Sequence, residues 1–248
     1  MQAFAGSVLF RVVLAHAPIP GGGRSRNVGV HASRAPLVVF TDDDCYVAPD
    51  YLTQLVRVFD GRTYGYVGGR VLLHDPSDAR VTIREDAEFA EVPTHTIVRP
   101  GFLHGANLAI RHEVWTAIGG FDPFFGAGAY FAGDDVDFVT RASLAGWAGA
   151  YAPEVIVRHH HGRKPGRVIE RHLSRYARGR GAYYTKGLLD AQTRRLFLRH
   201  WYWWSLRGAL RYWRLSDLIH ELIGSAQFLY RNFQTPTRER VRSTQKAA

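Results

Sequence analysis

Pro36-Leu-Val-Val-Phe-Thr-Asp42-Asp43-Asp44-Cys45-Tyr-Val-Ala-Pro49 is the stretch around which the chain is organised. The apolar run Leu37 to Phe40 predicts a buried strand of a mostly parallel sheet, and it stops abruptly at three carboxylates. Acids at the carboxyl end of such a strand sit where open α/β sheets bind ligands. Three adjacent like charges repel, so a fold that keeps them together calls for a cation. Asp42 and Asp44 point to one side of an extended segment, which would let them share one hard, oxygen-seeking ion such as Mg²⁺ or Mn²⁺. The other reading of the same residues is an acidic strand-to-turn junction in which Asp44 starts a turn.

Composition narrows the classes. With 248 residues, 46% hydrophobic and 22% charged, the chain can bury a core and is not of the disordered kind. Its one cysteine, Cys45, excludes an intramolecular disulfide and makes a reducing, cytoplasmic compartment the default. No uncharged apolar run reaches the length of a membrane span. Within Met1 to Leu14, Arg11 interrupts the apolar residues, so Val8 to Leu14 is predicted as a strand and not as part of a signal peptide. The net charge of +10 points to polyanionic partners, and from Arg163 to Arg214 fourteen Lys or Arg stand against two acids, Glu170 and Asp190.

Upstream of the acidic strand, Pro18-Ile-Pro-Gly-Gly-Gly23 is a loop, and Arg24-Ser-Arg26-Asn27 opens a short helix predicted over Asn27 to Ser33. Gly-rich backbone beside Arg24 and Arg26 at a helix start would suit a diphosphate. Downstream, Leu52, Leu55, Val56 and Phe59 share helical spacing after Asp50, Gly65 to Leu73 is strand-like, and His74 to Arg99 is polar and irregular, a loop beside the site.

A second acidic group follows. After Gly101-Phe-Leu-His-Gly105-Ala-Asn107 and a short helix, Glu113 to Ile118, that Gly119-Gly120 ends, the chain reaches Gly133-Asp134-Asp135-Val-Asp137. Acids in the first turn of a helix are favoured by the macrodipole, which explains one carboxylate comfortably and three within four residues less well. Val155-Ile-Val157-Arg-His159-His160-His161 ends a further strand, with His159 and His161 on one face and His160 on the other. A histidine at that strand end would complete a cation site begun by aspartates. A zinc triad made only of these three would require adjacent strand residues to face one ion.

Taken in order, Phe40-Thr-Asp-Asp-Asp-Cys-Tyr-Val-Ala-Pro-Asp50, Gly105-Ala-Asn-Leu-Ala-Ile-Arg111, Ile118-Gly-Gly-Phe-Asp122, Gly133-Asp-Asp-Val-Asp137 and Val157-Arg-His159 resemble the motifs of family 2 glycosyltransferases with the GT-A fold. Each motif is loose alone; five in order over residues 20 to 165 are specific. Arg24-Ser-Arg-Asn27 also resembles the helix that precedes the acidic strand in that family. The resemblance implies an α/β fold with a mixed, GT-A-like sheet flanked by helices over residues 1–165, and a basic helical extension over 166–248.

It also implies roles. Asp44 and Asp42 resemble the DXD pair, Asp44 the direct metal ligand and Asp42 nearer the ribose or a metal-bound water, with His159 near the metal and diphosphate. Asp135 matches the catalytic base, with Asp134 standing where glutamate is usual. Arg24 and Arg26 fall on the nucleotide side, and Gly105, Asn107 and Asp134 on the donor or acceptor pocket. The implied cofactor is a divalent cation, Mn²⁺ or Mg²⁺, and the implied partners are a nucleotide-sugar donor and a glycan or lipid-linked acceptor, in exopolysaccharide or cell-envelope synthesis. The family's chain normally opens with a β-α-β unit that reads the nucleobase; about twenty residues precede Arg24 here, so the resemblance implies a sheet truncated at its N-terminus.

The C-terminal third adds a surface. Leu196 to Arg214 concentrates four of the six tryptophans among arginines, a pattern that suits either a helix in an anionic membrane interface, at the inner face of the plasma membrane, or a helix packed on the catalytic domain with snorkelling arginines. Ser216 to Tyr230 is predicted as a packed helix and the last dozen residues as a basic tail. Two other classes fit parts of the chain: a catalytically silent glycosyltransferase scaffold, and a nucleic-acid-binding protein. The second has no recognised motif and leaves the aspartates without a task, so no specific nucleic acid is expected.

Overall fold

The computed structural model describes residues 10–211 and 215–234. Helix α1 (Gly22–Ala32) leads into strand β1 (Leu37–Phe40), β2 (Cys45–Val47), α2 (Tyr51–Phe59), β3 (Tyr66–Leu73) and β4 (Ala90–Val92). A single 3₁₀ turn (Gly105–Asn107) precedes β5 (Leu108–Arg111), α3 (His112–Ile118), α4 (Asp134–Leu144) and β6 (Gly149–His159). Helices α5 (Arg167–Leu189), α6 (Arg194–Trp201), a π-helical turn (Tyr202–Leu206), α7 (Arg207–Arg211) and α8 (Leu215–Gln234) form a C-terminal layer.

The six strands form one mixed sheet in the order β1-β5-β3-β6-β2, with β4 pairing the first half of β6 and β2 its second half. Only β3 and β6 run parallel. Along the central strands, alternate residues feed two cores: Tyr66, Leu108, Ile110 and Tyr151 one, Val67, Ala109, Ala150 and Ala152 the other. These strands are buried on both faces and therefore read as unbroken apolar runs. The decisive strand departs from expectation. β1 is an edge strand antiparallel to β5, and of its four residues only Phe40 is buried. An apolar run reports how wettable a strand is, not how many neighbours it has.

Other expectations shift as well. The strand predicted over Val8 to Leu14 lies partly outside the described residues, and Phe10 to Leu14 takes no regular structure, with Phe10, Val13 and Leu14 exposed. Helix α1 begins at Gly22, earlier than Asn27. In α2 the buried side chains are Tyr51, Leu55, Val58 and Phe59, while Leu52 and Val56 face out. His74 to Arg99 is an ordered wall: β4 pairs with β6, and Arg84 stacks between the rings of Phe102 (3.9 Å) and Tyr151 (3.8 Å).

At the register shift between Gly69 and Arg70, β6 advances from Ala152 to Ile156. Asn107 fills the gap: its Nδ2 donates to the carbonyls of Arg70 (2.8 Å) and Val155 (2.9 Å), and its Oδ1 accepts from Tyr51 Oη (2.8 Å). A side-chain amide thus stands in for missing ladder bonds, which a buried backbone requires.

The C-terminal layer shares a third core with the sheet domain. Phe124, Phe125, Phe131 and Val136 pack with Ala182, Tyr183, Tyr184, Phe197 and Phe228. Within the layer, α5 and α8 cross at backbone contact: a Cβ on Gly181 would stand 1.9 Å from the carbonyl oxygen of Glu221, and one on Gly224 2.0 Å from that of Arg178. No helix among the described residues is long and apolar enough to cross a membrane. Residues 212–214 and the predicted basic tail lie outside the described residues.

Candidate active site

Asn27 fixes the first wall of the cleft. Buried in α1, it donates from Nδ2 to the Phe121 carbonyl (2.8 Å) and accepts at Oδ1 from Trp115 Nε1 (2.9 Å) and the Phe121 amide (2.8 Å). Gly120, at φ 77°, leaves room for that amide, since a Cβ there would stand 2.7 Å from Asn27 Oδ1. One turn of sequence before Asn27, Gly22 and Gly23 donate to the carbonyls of Ala127 (2.7 Å) and Phe125 (3.3 Å). Those amides, expected to cradle a diphosphate, are already bonded within the protein.

With α1 so held, Arg26 is delivered between the two acidic groups. Its guanidinium pairs with Asp134 at the start of α4 and lies 3.4 Å from Asp42 Oδ1 beyond β1. The rings of Phe40 (6.0 Å) and Phe121 (5.8 Å) flank it. Burial alone opposes the Arg26 charge, but Asp134, Asp42 and Asp135 together outweigh it and hold the guanidinium above its ordinary value. Burial pushes the Asp42 carboxyl up, with Asp44 adding to the push and Arg26 opposing it. Arg24, two residues away and so on nearly the opposite side of the helix, turns back to the Pro20 carbonyl (3.0 Å).

Gly105 completes this pocket. Its amide donates to Asp135 Oδ2 (3.0 Å), and a Cβ on it would stand 2.6 Å from Arg26 Nη2. Asp135 Oδ1 accepts from the Val136 amide (2.7 Å), so the carboxylate sits half-buried over the first turn of α4, where the helix dipole favours it. Asn107, the third residue of the same turn, is 1% exposed and acts from beneath by fixing the turn that carries Gly105.

The other end of the cleft is built by β2 and β6. Cys45 stands opposite His159 in the ladder, and the His160 amide donates to the Asp44 carbonyl (2.8 Å). Asp44 Oδ1 consequently lies 3.2 Å from His159 Nε2, and one ligand atom each from Asp44, Cys45 and His159 fall within 4.8 Å of one another. This donor set fits a divalent cation. Asp42 is turned to Arg26 instead. Burial pushes the Cys45 thiol up to about 12, so it is protonated at neutral pH.

His161 shares a face with His159, their rings 5.1 Å apart and perpendicular, but accepts at Nδ1 from the Arg163 amide (3.0 Å) and faces the Ala79 carbonyl with Nε2 (3.0 Å). It ties the 74–84 wall to the end of β6.

Three residues near the acids escaped sequence reasoning. Thr82, at φ 57°, sets Oγ1 3.3 Å from His159 Nδ1. His104, before the Gly105 turn, has its pKa lowered to about 4 by burial, with Arg84 and His159 acting in the same direction. Tyr176 of α5 has its phenol pKa raised by burial, and Asp135 and Asp42 push it the same way, which brings the C-terminal layer to the cleft. Lys186, also on α5, holds Asp122 (2.8 Å) and Asp137 (2.5 Å).

Over residues 5–178 the sequence matches the model of the glycosyltransferase like family 2. The chain belongs to that family. Among family relatives, glycosyltransferase AglE of Haloferax volcanii is 26% identical over 136 residues, which cover 55% of this chain and 43% of AglE. An N-acetylglucosaminyl-diphospho-decaprenol L-rhamnosyltransferase of Mycobacterium tuberculosis is 30% identical over 116 residues, 44% of this chain and 33% of that protein. The matched stretches thus span less than half the length of either relative.

Solved structures agree on the fold. The mannosyltransferase PcManGT from Pyrobaculum calidifontis, in complex with GDP-Man and Mn²⁺, aligns with a TM-score of 0.58 at 19% identity, covering 99% of this chain and 71% of that one. S. aureus TarS 1-349 aligns at 0.55 and 14% identity, covering 84% and 59%. The mixed, curled sheet flanked by helices is therefore the GT-A fold.

Proposed function

We propose that this family 2 chain transfers a sugar from a nucleotide-diphosphate donor to an acceptor hydroxyl, with Asp135 as general base. The observation that carries this is the line of residues across the cleft: His159 beside Asp44, then, two residues along the chain, Asp42 beside Arg26, which also pairs with Asp134 and packs against Gly105, whose amide holds Asp135. One end of that line offers cation ligands and the other a half-exposed carboxylate.

Asp44 and His159 would hold a divalent cation, Mn²⁺ or Mg²⁺, which when bound supplies Lewis-acid stabilisation to a departing diphosphate. Thr82 Oγ1, which donates to the Val81 carbonyl (2.6 Å), can accept from Nδ1 of His159, and in the tautomer with the proton on Nδ1 the Nε2 beside Asp44 would be open to an ion. Arg26 stays charged and adds a fixed positive group beside Asp42 on the nucleotide side. Asp135, half-exposed and held by two amides, would take the acceptor's proton as the hydroxyl attacks the anomeric carbon from the face opposite the leaving group, inverting that centre. PcManGT, solved with GDP-Man and Mn²⁺, and TarS, solved with UDP-GlcNAc, support a nucleotide-sugar donor. The rhamnosyltransferase relative, named for a decaprenol diphosphate, supports a lipid-linked acceptor in cell-envelope glycan synthesis, met at the cytoplasmic face of a membrane.

The test is a thermal-shift and calorimetric titration of the chain with Mn²⁺ plus UDP, GDP or dTDP, beside Asp44→Ala and Asp135→Asn. Stabilisation by one nucleotide only with metal, absent in Asp44→Ala and kept in Asp135→Asn while transfer is lost, is expected. Retained transfer in Asp135→Asn would remove the base from the scheme.

A further inference from the structure

Helix α8 has two faces, and among the described residues only one is covered by protein. Glu221, Gly224 and Phe228 are buried on its inner side against α5 and the third core. On the opposite side Leu215, Ile219, Leu222, Ile223, Tyr230 and Phe233 are all exposed, Phe233 to 81%. Their spacing places them on one stripe roughly 100° wide along the whole helix. The expectation of a packed helix over Ser216 to Tyr230 holds for this inner side, while Ile219, Leu222 and Ile223, whose helical spacing in the sequence suggests that packing, face out.

The π-helical turn carries exposed aromatic residues of its own. Tyr202, Trp203 and Trp204 of the π-helical turn are each about half exposed, and a cleft of about 1270 Å³ lies between Trp203, Trp204 and the flank of α8 at Asp217, Leu218 and Glu221. Arg207 lies over the Trp203 ring (4.3 Å) and Arg99 over that of Trp204 (4.8 Å). Arg199, Arg207 and Arg211 are exposed and line the depressions beside Trp203 and Trp204. The two acids between Arg194 and Gln234, Asp217 and Glu221, are both paired with Arg180, at 3.7 and 2.8 Å, on the inner side.

We propose that the outer face of α8, together with Tyr202, Trp203 and Trp204, docks flat on a membrane surface rich in anionic lipid. An apolar stripe sinks to the acyl boundary, tryptophan and tyrosine prefer the headgroup level, and arginines answer anionic headgroups. At 20 residues α8 is about 30 Å long, ample for lying in the interface. A second copy of the chain fits this surface less well, because pairing two such faces would bring like charges together, while Asp217 and Glu221, the two acids among the described residues from Arg194 on, are held inward by Arg180. The inference rests on the lipid-linked acceptor above only for its purpose; the surface itself stands on α8 and the turn.

The experiment is co-sedimentation of the full chain with phosphatidylcholine vesicles and with vesicles containing phosphatidylglycerol, followed by tryptophan fluorescence. Binding at least tenfold tighter to the anionic vesicles, weakening as salt rises, with a blue-shifted emission, is expected. The double variant Leu222→Glu, Tyr230→Glu alters exposed positions only and should lose that binding tenfold or more at unchanged melting temperature; its single variants give the same answer by degrees if the double variant folds poorly. Equal binding to both vesicle types, or undiminished binding by the variants, overturns the proposal. So does a wild-type dimer without vesicle binding that the variant renders monomeric, which would assign the face to a second copy. Vesicle binding without any metal-dependent nucleotide response would remove the sugar-transfer reading and leave the surface standing.

Discussion

Thr82 Oγ1 lies 3.3 Å from Nδ1 of His159, and the threonine reaches that point only by adopting a left-handed backbone at φ 57°. For a β-branched residue that conformation costs about 1–3 kcal/mol, so the surrounding wall must enforce it.

Replacing Thr82 by glycine removes the hydroxyl and relieves the backbone. Thr82→Gly is expected to weaken Mn²⁺ binding about 10- to 100-fold, the usual effect of losing a partner that orients a ligating histidine, while the melting temperature holds or rises. Calorimetric titration beside a thermal melt reads both. A parallel fall in stability and affinity would make Thr82 a purely structural residue.

Gly105→Ala places a methyl 2.6 Å from Arg26 Nη2 and must displace the guanidinium from Asp42 and Asp134. Overpacking of this kind costs about 1–3 kcal/mol, to be read from urea unfolding. Gly29→Ala in α1 is the control: nothing lies within 4 Å of the added Cβ, and the change should stabilise the helix by up to about 1 kcal/mol.

Lys186→Met leaves Asp122 and Asp137 without their shared partner and is expected to cost about 3 kcal/mol at pH 7. The effect depends on pH in a set direction. Burial raises the Asp122 carboxyl, but Lys186, the Phe124 amide and Arg141 outweigh it and hold its pKa at about 2. A depressed carboxylate contributes its stability above its ordinary pKa of 3.8 and loses it as pH falls towards 2. The wild type and the variant should therefore converge between about pH 4 and pH 2. Urea titrations at pH 7, 4 and 3 check this, and a gap that stays constant would exclude the linkage.

The acids after β1 could be read from sequence because an apolar run stops abruptly at them, and the second acidic group because a Gly-rich loop there opens a helix; Gly105 and Asn107 came only with the family resemblance. What could not be read was their partnership. Arg26 and Asp134 are brought together by α1 docking on the 119–127 segment through Asn27, a contact with no local signature. Thr82 was hidden because its segment has neither helical nor strand period, and its function depends on one backbone angle. Asn107 was legible as a motif residue, but its task lies at the register shift between two distant strands. In α8 the period gave the apolar stripe correctly; periodicity says which residues share a face, not which face a neighbour covers.

The slip in register between β3 and β6 gives the site a rule of odd and even. β6 takes three more residues than β3 to pass Gly69 and Arg70, and His159 then emerges on the face where Cys45 waits. Side chains along a strand change sides at every step, so removing one residue near Glu154 would leave a strand that still pairs and turn His159 to the wrong side of the sheet. In this chain a one-residue change of length carried into the strand beyond that kink is expected to lose the histidine from the cation site, and a two-residue change to keep it facing Cys45.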